Sequence, residues 1–339
     1  MTSDPVDVLD AADPVDAVLS AYAAGLRISL RTSGTTTRPR RVVRTAASWV
    51  DSFPAVSELM DLGSSSRVWL PGPLTASMNL FAAAHARCVG ADAVSTPSGA
   101  SHACLTPTAL VSALDDGVDV GGMHLVVAGD RLGRGLARRA ASAGARVSHY
   151  YGASELSFVA WGSDDRLRAF PGAELDIRND VIWVRSPYLS SGYLGADGPF
   201  VTSPDGFATV GDRGRLTAGV LTVTGRGDQA VLTGGATVLV DDVEQLLGHA
   251  SGADVVVVGV SHARLGQVVG AVFTDMEALQ RARAATQELT AAQRPRLWFL
   301  VPRWPVTAAG KVDRAAVAEL ADSGRLTRVP RPTSTRVGA

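Results

Sequence analysis

The sequence is poor in cysteine, in long apolar runs and in net charge. Its 339 residues include two cysteines, Cys88 and Cys104, without a C-x-x-C pair, which is typical of a reducing compartment. No apolar run approaches the ~20 residues of a membrane-spanning helix. A formal net charge of -1 gives no overall basic surface for nucleic acid or membranes. Because the acidic start, Met1–Asp4, is also unlike a signal peptide, we expect a cytoplasmic protein without nucleic-acid or membrane partners.

Lysine is almost absent from the chain. Lys311 is the single lysine, and all other residues in the Lys and Arg total of 32 are Arg. Lysine supplies a compact, mobile point charge with three donors, whereas Arg supplies a rigid planar fork. The small residues of Thr307–Gly310 allow the backbone before Lys311 to come close to a ligand. The alternative is a lysine that survived by chance in an Arg-rich sequence.

The first half of the chain alternates between strand and helix patterns. Short apolar runs bounded by Gly, Pro or Ser predict strands, and apolar residues at helical spacing, such as Trp49, Phe53 and Val56, predict helices. The predicted strands span 26–30, 68–70, 90–95, 124–128 and 147–151, and the predicted helices span 45–61, 76–89, 107–115 and 134–143. Strands that alternate with helices in this way form a parallel, doubly wound sheet.

The pattern changes near residue 175. Short apolar segments at 175–177, 181–184, 215–216 and 221–223 are separated by Gly, Pro, Asn and Asp, which is typical of antiparallel strands in a barrel-like subdomain. Mixed strands and helices return at 240–247, 253–260, 267–273, 277–290 and 298–301. The sequence therefore predicts an α/β fold with a large N-terminal domain of mostly parallel sheet plus the barrel-like subdomain (1–227), a small α+β C-terminal domain (228–322) and a disordered tail (323–339).

A loop rich in hydroxyl groups follows the first predicted strand. It contains Thr32, Ser33, Gly34, Thr35, Thr36 and Thr37, and it ends at Arg40. Hydroxyls and backbone N–H groups around a glycine suit the oxygens of a polyphosphate. The loop lacks the G-x-x-x-x-G-K-[ST] pattern of P-loop enzymes. A solvated or flexible loop is the alternative.

A second cluster lies in His149–Glu155. Its two neighbouring aromatics, Tyr150 and Tyr151, suit the faces of a planar base. Ser154 can donate to a phosphate, and Glu155 can bind magnesium together with phosphate oxygens. Two ordinary core tyrosines followed by a helix start are the alternative.

Two further segments contain an Asp next to glycine. Asp212 can accept two hydrogen bonds from ribose hydroxyls, and Gly225–Asp228 lies where the composition changes. An ordinary turn is the alternative for both. Gly129 begins a near-match to G-x-G-x-x-G and is a candidate nucleotide-binding residue, although the spacing does not fit a dinucleotide site.

These segments, in this order and followed by Lys311, resemble the motifs of the adenylate-forming superfamily of acyl-CoA synthetases, luciferases and peptide-synthetase adenylation domains. The similar segments are Thr32–Arg40, Tyr151–Glu155, Val184–Tyr193, Val210–Asp212, Gly225–Asp228 and Pro305–Arg314, the last of which matches P-x-T-x-x-G-K-x-x-R. The resemblance covers roughly residues 26–320. The Gly234-Gly235 pair and the short chain look most like small o-succinylbenzoate–CoA ligases.

The resemblance implies how the candidates would bind the nucleotide. In the family pattern, Thr32–Thr36 and Arg40 bind the ATP phosphates, Tyr150–Gly152 flank the adenine and acyl group, Ser154 contacts the α-phosphate, Glu155 binds magnesium, Asp212 holds the ribose and Arg226 touches ribose or phosphate. ATP, Mg²⁺ and coenzyme A are therefore the expected cofactors.

The resemblance also implies the chemistry. Lys311 would bridge the substrate carboxylate and the α-phosphate and stabilise the charge that develops there. Asp228 would be the hinge of a mobile C-terminal domain, which brings Gly234-Gly235 to the thiol tunnel in a second half-reaction. Ser77 and Ala153 would line the acyl or thiol tunnel. Small residues at Ala76, Ser77, Gly152 and Ala153 suggest room for a ring or a medium chain.

Four features depart from the family pattern. Thr37 stands where the family has Gly, and Arg40 stands where it has Lys. The segment Pro71–Ser77 lacks the usual His or aromatic gate. The segment before Thr32 is shorter than in the family, so we expect a shortened large domain whose apolar face a homodimer could cover.

Other basic residues are assigned structural roles. The arginines of Arg38–Arg44 and Arg138-Arg139 are interpreted as solvated faces. The remaining histidines lack metal-ligand spacing and are interpreted as structural or surface residues: His85, His102, His124, His249 and His262.

Three functional hypotheses follow. The first is a ligase that activates a small carboxylic acid with ATP and passes the acyl group to a thiol, most simply coenzyme A. The second transfers the acyl adenylate to carrier-protein phosphopantetheine or to an amine, as in secondary metabolism. The third is a truncated, non-catalytic nucleotide- or acyl-binding homologue, which Thr37 favours and which Lys311, Glu155 and Asp212 oppose.

Overall fold

The computed structural model describes residues 4–31, 40–163, 166–195, 198–225, 230–307 and 310–330. Backbone contacts divide the chain into two units. The first comprises Met1–Gly225 with Val306–Lys311, and the second comprises Arg226–Pro305 with Val312–Ala339. Helices and several sheets are combined in the fold, so the predicted α/β class is confirmed.

The first unit contains both helices and strands. Its helices are α1 (Pro14–Ala23), α2 (Ala47–Val50), α3 (Phe53–Met60), α4 (Ser77–Val89), α5 (Pro107–Asp115) and α6 (Arg134–Ser142), with a 3-10 helix at Val8–Asp10. Its strands are β1 (Val6–Asp7), β2 (Arg27–Arg31), β3 (Arg41–Thr45), β4 (Arg67–Trp69), β5 (Asp92–Val94), β6 (His102–Leu105), β7 (His124–Val127), β8 (Arg146–Ala153), β9 (Ser157–Gly162), β10 (Arg168–Ala169), β11 (Glu174–Arg178), β12 (Val181–Arg185), β13 (Gly192–Tyr193), β14 (Val201–Thr202), β15 (Ala208–Thr209), β16 (Arg213–Thr217) and β17 (Val220–Gly225).

A seven-stranded sheet in the order β10-β9-β8-β7-β6-β4-β5 forms the centre of the first unit. β4 to β8 pair in parallel, whereas β9 and β10 pair antiparallel. Alternate residues of β7 enter two different cores, Val126 with α3 and α4, and Leu125 with α5 and α6. Helices therefore cover both faces, and the carboxyl ends of β6, β7 and β8 share one edge, where ligands of such sheets bind.

Two smaller sheets complete the first unit. Their orders are β1-β2-β3-β13 and β14-β15-β12-β16-β17, with β11 paired to β12. The second of these sheets is antiparallel, as predicted for 175–223. Antiparallel pairing begins earlier than predicted, at β9, because the turn Ser154–Leu156 is too short for anything except a hairpin.

The predicted helix at 45–61 is two helices. α2 and α3 are separated by Asp51 and Ser52. Pro54 lies in the first turn of α3, where a missing N–H costs nothing, whereas in the interior of one longer helix it would remove a hydrogen bond.

The second unit packs helices on both faces of another sheet. Its helices are α7 (Val240–Ser251), α8 (Met276–Ala284) and α9 (Arg314–Asp322), with a 3-10 helix at Ala285–Glu288. Its strands are β18 (Ala230–Thr233), β19 (Ala236–Leu239), β20 (Val256–His262), β21 (Gly266–Phe273), β22 (Leu297–Leu300) and β23 (Thr327–Arg328). The strand order is β19-β18-β21-β22-β23, and β20 also pairs with β21. Alternate residues of β21 face α7 and α8 on one side (Val269, Ala271) and α9 on the other (Val268, Val272).

The structure corrects where the predicted tail begins. Residues 323–330 belong to the fold, because β23 pairs with β22 and Leu326 is buried in the α9 core. Residues 331–339 lie outside the described ranges. Among the helices that the structure describes, none combines the length and the apolar character needed to cross a membrane.

An ion pair joins the start of α9 to α7. The two terminal guanidinium nitrogens of Arg314 donate to the two carboxylate oxygens of Glu244, at 2.6 Å each. Glu244 is 9% exposed, and its Oε1 also accepts from the Val257 N–H at 2.7 Å. Burial raises the pKa of Glu244, and the contacts with Arg314 and Val257 oppose that rise. The pair thus gives a buried carboxylate a cationic partner.

We expect Arg314→Leu to destabilise the second unit by about 3–5 kcal/mol, because it leaves the Glu244 carboxylate buried without its cation. Amide hydrogen exchange of peptides that contain Val257 measures the change locally. Arg325→Leu is the matched control, because Arg325, just after α9, forms a 2.6 Å pair with Glu319 of α9, and their side chains are 57% and 75% exposed. Equal effects of the two substitutions would contradict a structural role for the buried pair.

Three buried histidines lie in the first unit. His85 Nε2 lies 2.7 Å from Ser57 Oγ, and burial lowers the pKa of His85 to about 4. Nitrogens of His102 and His124 both lie within 3.0 Å of the Met60 carbonyl oxygen. Burial also lowers the pKa of His102 and of His124. The prediction of structural histidines is confirmed for these three, which are all buried, and burial opposes the protonation of each.

The free energy of unfolding should therefore fall in mild acid. The folded-state pKa of His85 is below its unfolded value of 6.5, so the unfolded chain takes up the proton first as the pH drops through 6.5. His85 alone should remove about 2 kcal/mol between pH 7.5 and 5. Urea unfolding at several pH values measures the slope, which His85→Gln should flatten. His249→Gln, at an exposed histidine, is the control and should leave the dependence of the unfolding free energy on pH unchanged. An equal slope in the two variants would refute the assignment of this dependence to His85.

Candidate functional site

Part of the predicted site lies outside the described residues. These positions are Thr32, Ser33, Gly34, Thr35, Thr36, Thr37, Arg226 and Asp228. Their predicted roles stay predictions. The other candidates lie in described segments, mostly at the carboxyl edge of the parallel sheet.

The β8–β9 hairpin carries Ser154 and Glu155 in its turn. A Cβ at Gly152 would lie 2.2 Å from the Ser157 carbonyl oxygen and 3.4 Å from the Tyr150 ring. Glycine is therefore needed here for the two strands to approach each other. The absence of a Cβ at Gly152 thus serves the close approach of β8 and β9, and the prediction that Gly152 leaves room for substrate stays a prediction.

Asp212 is held from two sides. The hydroxyl of Tyr151 donates to Asp212 Oδ2 at 2.8 Å, and the Ile182 N–H donates to the Asp212 carbonyl oxygen at 2.8 Å. Asp212 is 8% exposed and lies directly before β16. The structure thus brings together the segments of Tyr151 and Asp212, which the sequence showed only as two separate motifs. It also orients the Asp212 carboxylate, which can accept hydrogen bonds from hydroxyl groups.

Glu155, like Asp212, accepts one hydrogen bond through its side chain and one through its backbone carbonyl. Its carboxylate accepts from the Tyr193 hydroxyl at 2.7 Å through Oε1, and its carbonyl oxygen accepts from the Ser190 N–H at 2.8 Å. Burial and the contact with Glu155 raise the pKa of Tyr193, so the phenol remains a donor. The positive charge of Arg40 opposes this rise in the pKa of Tyr193.

The donor set suits magnesium bound jointly with phosphates. No group of three or more His, Cys, Asp or Glu side chains within the described ranges could form a complete metal cage. Magnesium is commonly held by one or two carboxylates together with substrate phosphates and water. Glu155, 7% exposed and hydrogen-bonded through Oε1, is the candidate for such a carboxylate.

Arg44 corrects an interpretation of the sequence. The segment Arg38–Arg44 was expected to be a solvated face, but Arg44 is 0% exposed. Its guanidinium donates to Ser48 Oγ at 3.0 Å, to the Ser154 carbonyl oxygen at 3.3 Å and to the Tyr188 carbonyl oxygen. Arg44 thus acts directly on the turn that carries Glu155.

The loop that carries Lys311 belongs to the first unit. The Gly310 N–H donates to the Thr307 carbonyl at 2.9 Å, and the Thr307 N–H donates to the Lys311 carbonyl at 2.8 Å. Thr106, the N-cap of α5, donates from Oγ1 to the Gly310 carbonyl at 2.7 Å and accepts from the Ala109 N–H at 3.1 Å. One hydroxyl therefore caps a helix and ties the lysine loop to the edge of the sheet.

Gly129 and Lys311 are brought together. Gly129 follows β7 with a φ of +91°, which favours glycine. A Cβ at this position would lie 3.2 Å from Lys311 Cε. The absence of a side chain at Gly129 thus lets the aliphatic stem of Lys311 lie against the backbone at the carboxyl end of β7.

A small apolar cavity lies between α3, α4 and the central sheet. Its volume is about 20 Å³. Its lining residues are Val56, Met60, Leu62, Val68, Met78, Phe81, Ala82, His85, Cys104, Val126, Tyr150, Phe158 and Trp161. Ser77 is the first residue of α4, next to Met78, and Ala153 is the last residue of β8. Tyr150 thus faces an apolar cavity, while its neighbour Tyr151 binds Asp212.

Gly234 and Gly235 form the turn of the β18–β19 hairpin. Their φ values are +55° and +84°, and Thr233 pairs with Ala236 across the turn. Two central residues with positive φ define a type I′ turn, which almost requires glycine or Asn. The Gly-Gly pair therefore has a structural reason within the second unit.

Sequence reasoning missed Arg44 and Thr106. Arg44 lay among other arginines, with no local signal that it alone is buried. Thr106 had a weak signal, because Thr before Pro107 at the start of a predicted helix is an N-cap pattern. Its second contact, with Gly310, joins residues 204 positions apart and has no sequence signal.

Comparison with known proteins identifies relatives over most of the chain. No protein-family model matches it. The chain is 30% identical over 353 aligned positions to the probable 2-succinylbenzoate–CoA ligase of Mycobacterium tuberculosis, an alignment that covers 89% of this chain and 88% of that protein. It is 27% identical to the 2-succinylbenzoate–CoA ligase of Escherichia coli, over 85% of this chain and 67% of that protein.

A solved structure agrees with these relatives. A variant of Escherichia coli MenE with bound OSB-AMS is similar with a TM-score of 0.74 and 26% identity, over 88% of this chain and 69% of that chain. The resemblance drawn from the motifs is therefore confirmed. The chain belongs to the acyl-CoA ligase family of adenylate-forming enzymes.

Proposed function

We propose that the protein is an AMP-forming acid–thiol ligase in which Lys311, Asp212 and Glu155 serve the first half-reaction. It activates a carboxylic acid with ATP, forming an acyl adenylate and pyrophosphate, and then transfers the acyl group to coenzyme A. The observation that carries the residue assignment is the position of Lys311, the single lysine, against Gly129 at the carboxyl edge of the parallel sheet.

Lys311 supplies the mobile positive charge. As a carboxylate oxygen of the acid attacks the α-phosphorus, negative charge grows on the phosphate oxygens and on the leaving pyrophosphate. An ammonium group at the end of a flexible stem can follow these oxygens, whereas a planar guanidinium is less free to do so. A positive charge that the protein already holds near the developing negative charge lowers the activation barrier of adenylate formation, because water need not reorganise to stabilise that charge.

Asp212 and Glu155 orient the nucleotide. Tyr151 donates to Oδ2 of Asp212 and orients the carboxylate, which would accept hydrogen bonds from the ribose hydroxyls. Glu155 would hold Mg²⁺, which neutralises phosphate charge when bound. Ser154, next to Glu155 in the turn, would donate to the α-phosphate. Arg40 would approach the phosphates from the other side.

The cavity beside Tyr150 supports an apolar acyl group. None of its lining residues is permanently charged, and burial keeps His85 neutral. A second carboxylate buried there would lack a cationic partner, which is costly. Because the lining offers no cationic partner, we favour an apolar monocarboxylic acid over a dicarboxylate. The volume of about 20 Å³ holds about one water molecule, so the lining side chains would have to move to admit the acyl group.

Pyrophosphate release with ATP, Mg²⁺ and a panel of acids, with and without coenzyme A, tests the function. We expect apolar monocarboxylic acids to turn over faster than 2-succinylbenzoate, with coenzyme A converting a single turnover into many. Fastest turnover of 2-succinylbenzoate would overturn the proposed acid class. Pyrophosphate release that coenzyme A does not increase would instead favour a carrier-protein thiol or an amine as the acceptor. No pyrophosphate release with any acid of the panel would overturn the proposed ligase activity.

Lys311→Ala should abolish adenylate formation while ATP still binds, because only the charge at the reacting centre is lost. We expect a fall of about a hundredfold or more in pyrophosphate release, with nearly unchanged ATP affinity by calorimetry. Lys311→Arg should recover little, because the planar fork cannot replace the mobile ammonium. Arg303→Ala, which removes an exposed cation close in sequence, is the control. Wild-type release by Lys311→Ala would refute the assigned role.

A further inference from the structure

We propose that Arg44 is a positioning residue for the magnesium–ATP half of the site, because its buried guanidinium holds the Ser154–Glu155 turn in place. The inference rests on the proposed function, in which Glu155 binds the metal. Arg44 acts through that turn and has no direct part in the reaction.

The contacts of Arg44 converge on the backbone around Glu155. Arg44 is 0% exposed, and its donors reach Ser48 Oγ, the Ser154 carbonyl and the Tyr188 carbonyl. The Ser154 carbonyl belongs to the peptide bond that precedes Glu155. A guanidinium held at three points therefore fixes the plane of that peptide, and with it the direction in which the Glu155 side chain leaves the backbone.

The strand that carries Arg44 holds Glu155 from a second side. β3 pairs with β13, with Val43 opposite Gly192 and Val42 opposite Tyr193. Tyr193 in turn donates to Glu155 Oε1 at 2.7 Å. One strand, which begins at Arg41, thus positions both the backbone and the carboxylate of Glu155.

The charge of Arg44 matters as well as its hydrogen bonds. In the described part of the chain, Arg44 forms no direct salt bridge with a carboxylate, yet the negative charge of Glu155 acts on it. Burial lowers the pKa of Arg44 to about 9, which leaves it cationic at neutral pH. Because Arg44 donates to the Ser154 and Tyr188 carbonyls and not to the Glu155 carboxylate, it does not occupy the oxygens that a metal would use.

This arrangement predicts a selective defect. Arg44→Met would leave the Ser154 and Tyr188 carbonyls without their donor and remove the charge, so the turn would lose both constraints. Partners that orient a metal ligand typically change metal affinity by about 10–100-fold. Affinity for magnesium–ATP should therefore fall, whereas affinity for the acid and for metal-free nucleotide should not.

Calorimetry with a non-hydrolysable ATP analogue, with and without Mg²⁺, tests the proposal directly. For Arg44→Met we expect the ATP analogue to bind about tenfold more weakly in the presence of Mg²⁺ and with unchanged affinity in its absence. In the pyrophosphate assay, the Mg²⁺ concentration that gives half-maximal release should increase, whereas the KM for the acid should not change. Arg44→Lys should recover part of the loss. Equal weakening with and without Mg²⁺ would show a merely structural role and overturn the proposal.

Two further variants keep the test decisive. Ser48→Ala removes one partner of Arg44 and leaves the guanidinium, so it should shift the Mg²⁺ dependence in the same direction but less. If Arg44→Met does not fold, a wild-type Mg²⁺ dependence of Ser48→Ala and Arg44→Lys overturns the proposal. Arg87→Met, at an exposed arginine, is the matched control and should change nothing. A wild-type protein without activity would overturn the proposed function itself, whereas an active wild type with unaffected variants would overturn only the role of Arg44.

Discussion

A fully buried guanidinium constrains the first unit. Arg44 lies on β3, and its acceptors lie in the β8–β9 turn and just before β13. A buried cation that loses its acceptors is strongly destabilising, so these separate segments can occupy only positions that satisfy it. The same positions bring the Glu155 carboxylate to the Tyr193 hydroxyl. Folding energetics and the geometry of the candidate site are therefore coupled through one side chain.

Backbone close approach is the second constraint on the site. Gly152 lets β8 and β9 meet, and Gly129 lets Lys311 lie against the end of β7. A substrate pocket is a common explanation for small residues near an active site, but at these two glycines the missing side chain serves close approach within the protein. A small cavity with an apolar lining lies beside Tyr150.

The motif that contains Lys311 combines two different kinds of cation. Lys311 lies at the sheet edge of the first unit, and in the proposed function its mobile charge acts on developing negative charge. Arg314 forms a two-fold contact with the buried Glu244 within the second unit and secures the start of α9. Lysine suits the first role because it is flexible, and arginine suits the second because its rigid fork matches a carboxylate.

The sequence by itself determined the family, the α/β class, the parallel order of strand and helix, and the identity of Lys311, Glu155 and Asp212 as candidates. These depend on local patterns and on motif order, which a single chain displays directly. Only the tertiary structure decided that Arg44 is buried, that Tyr151 binds Asp212, that Thr106 holds the Lys311 loop and that Gly152 serves backbone packing. The contacts join residues that are far apart in the chain. The burial of Arg44 depends on which of several neighbouring arginines enters the core. Burial and long-range contact arise from how the sheets and helices pack, and no local pattern of residues encodes them.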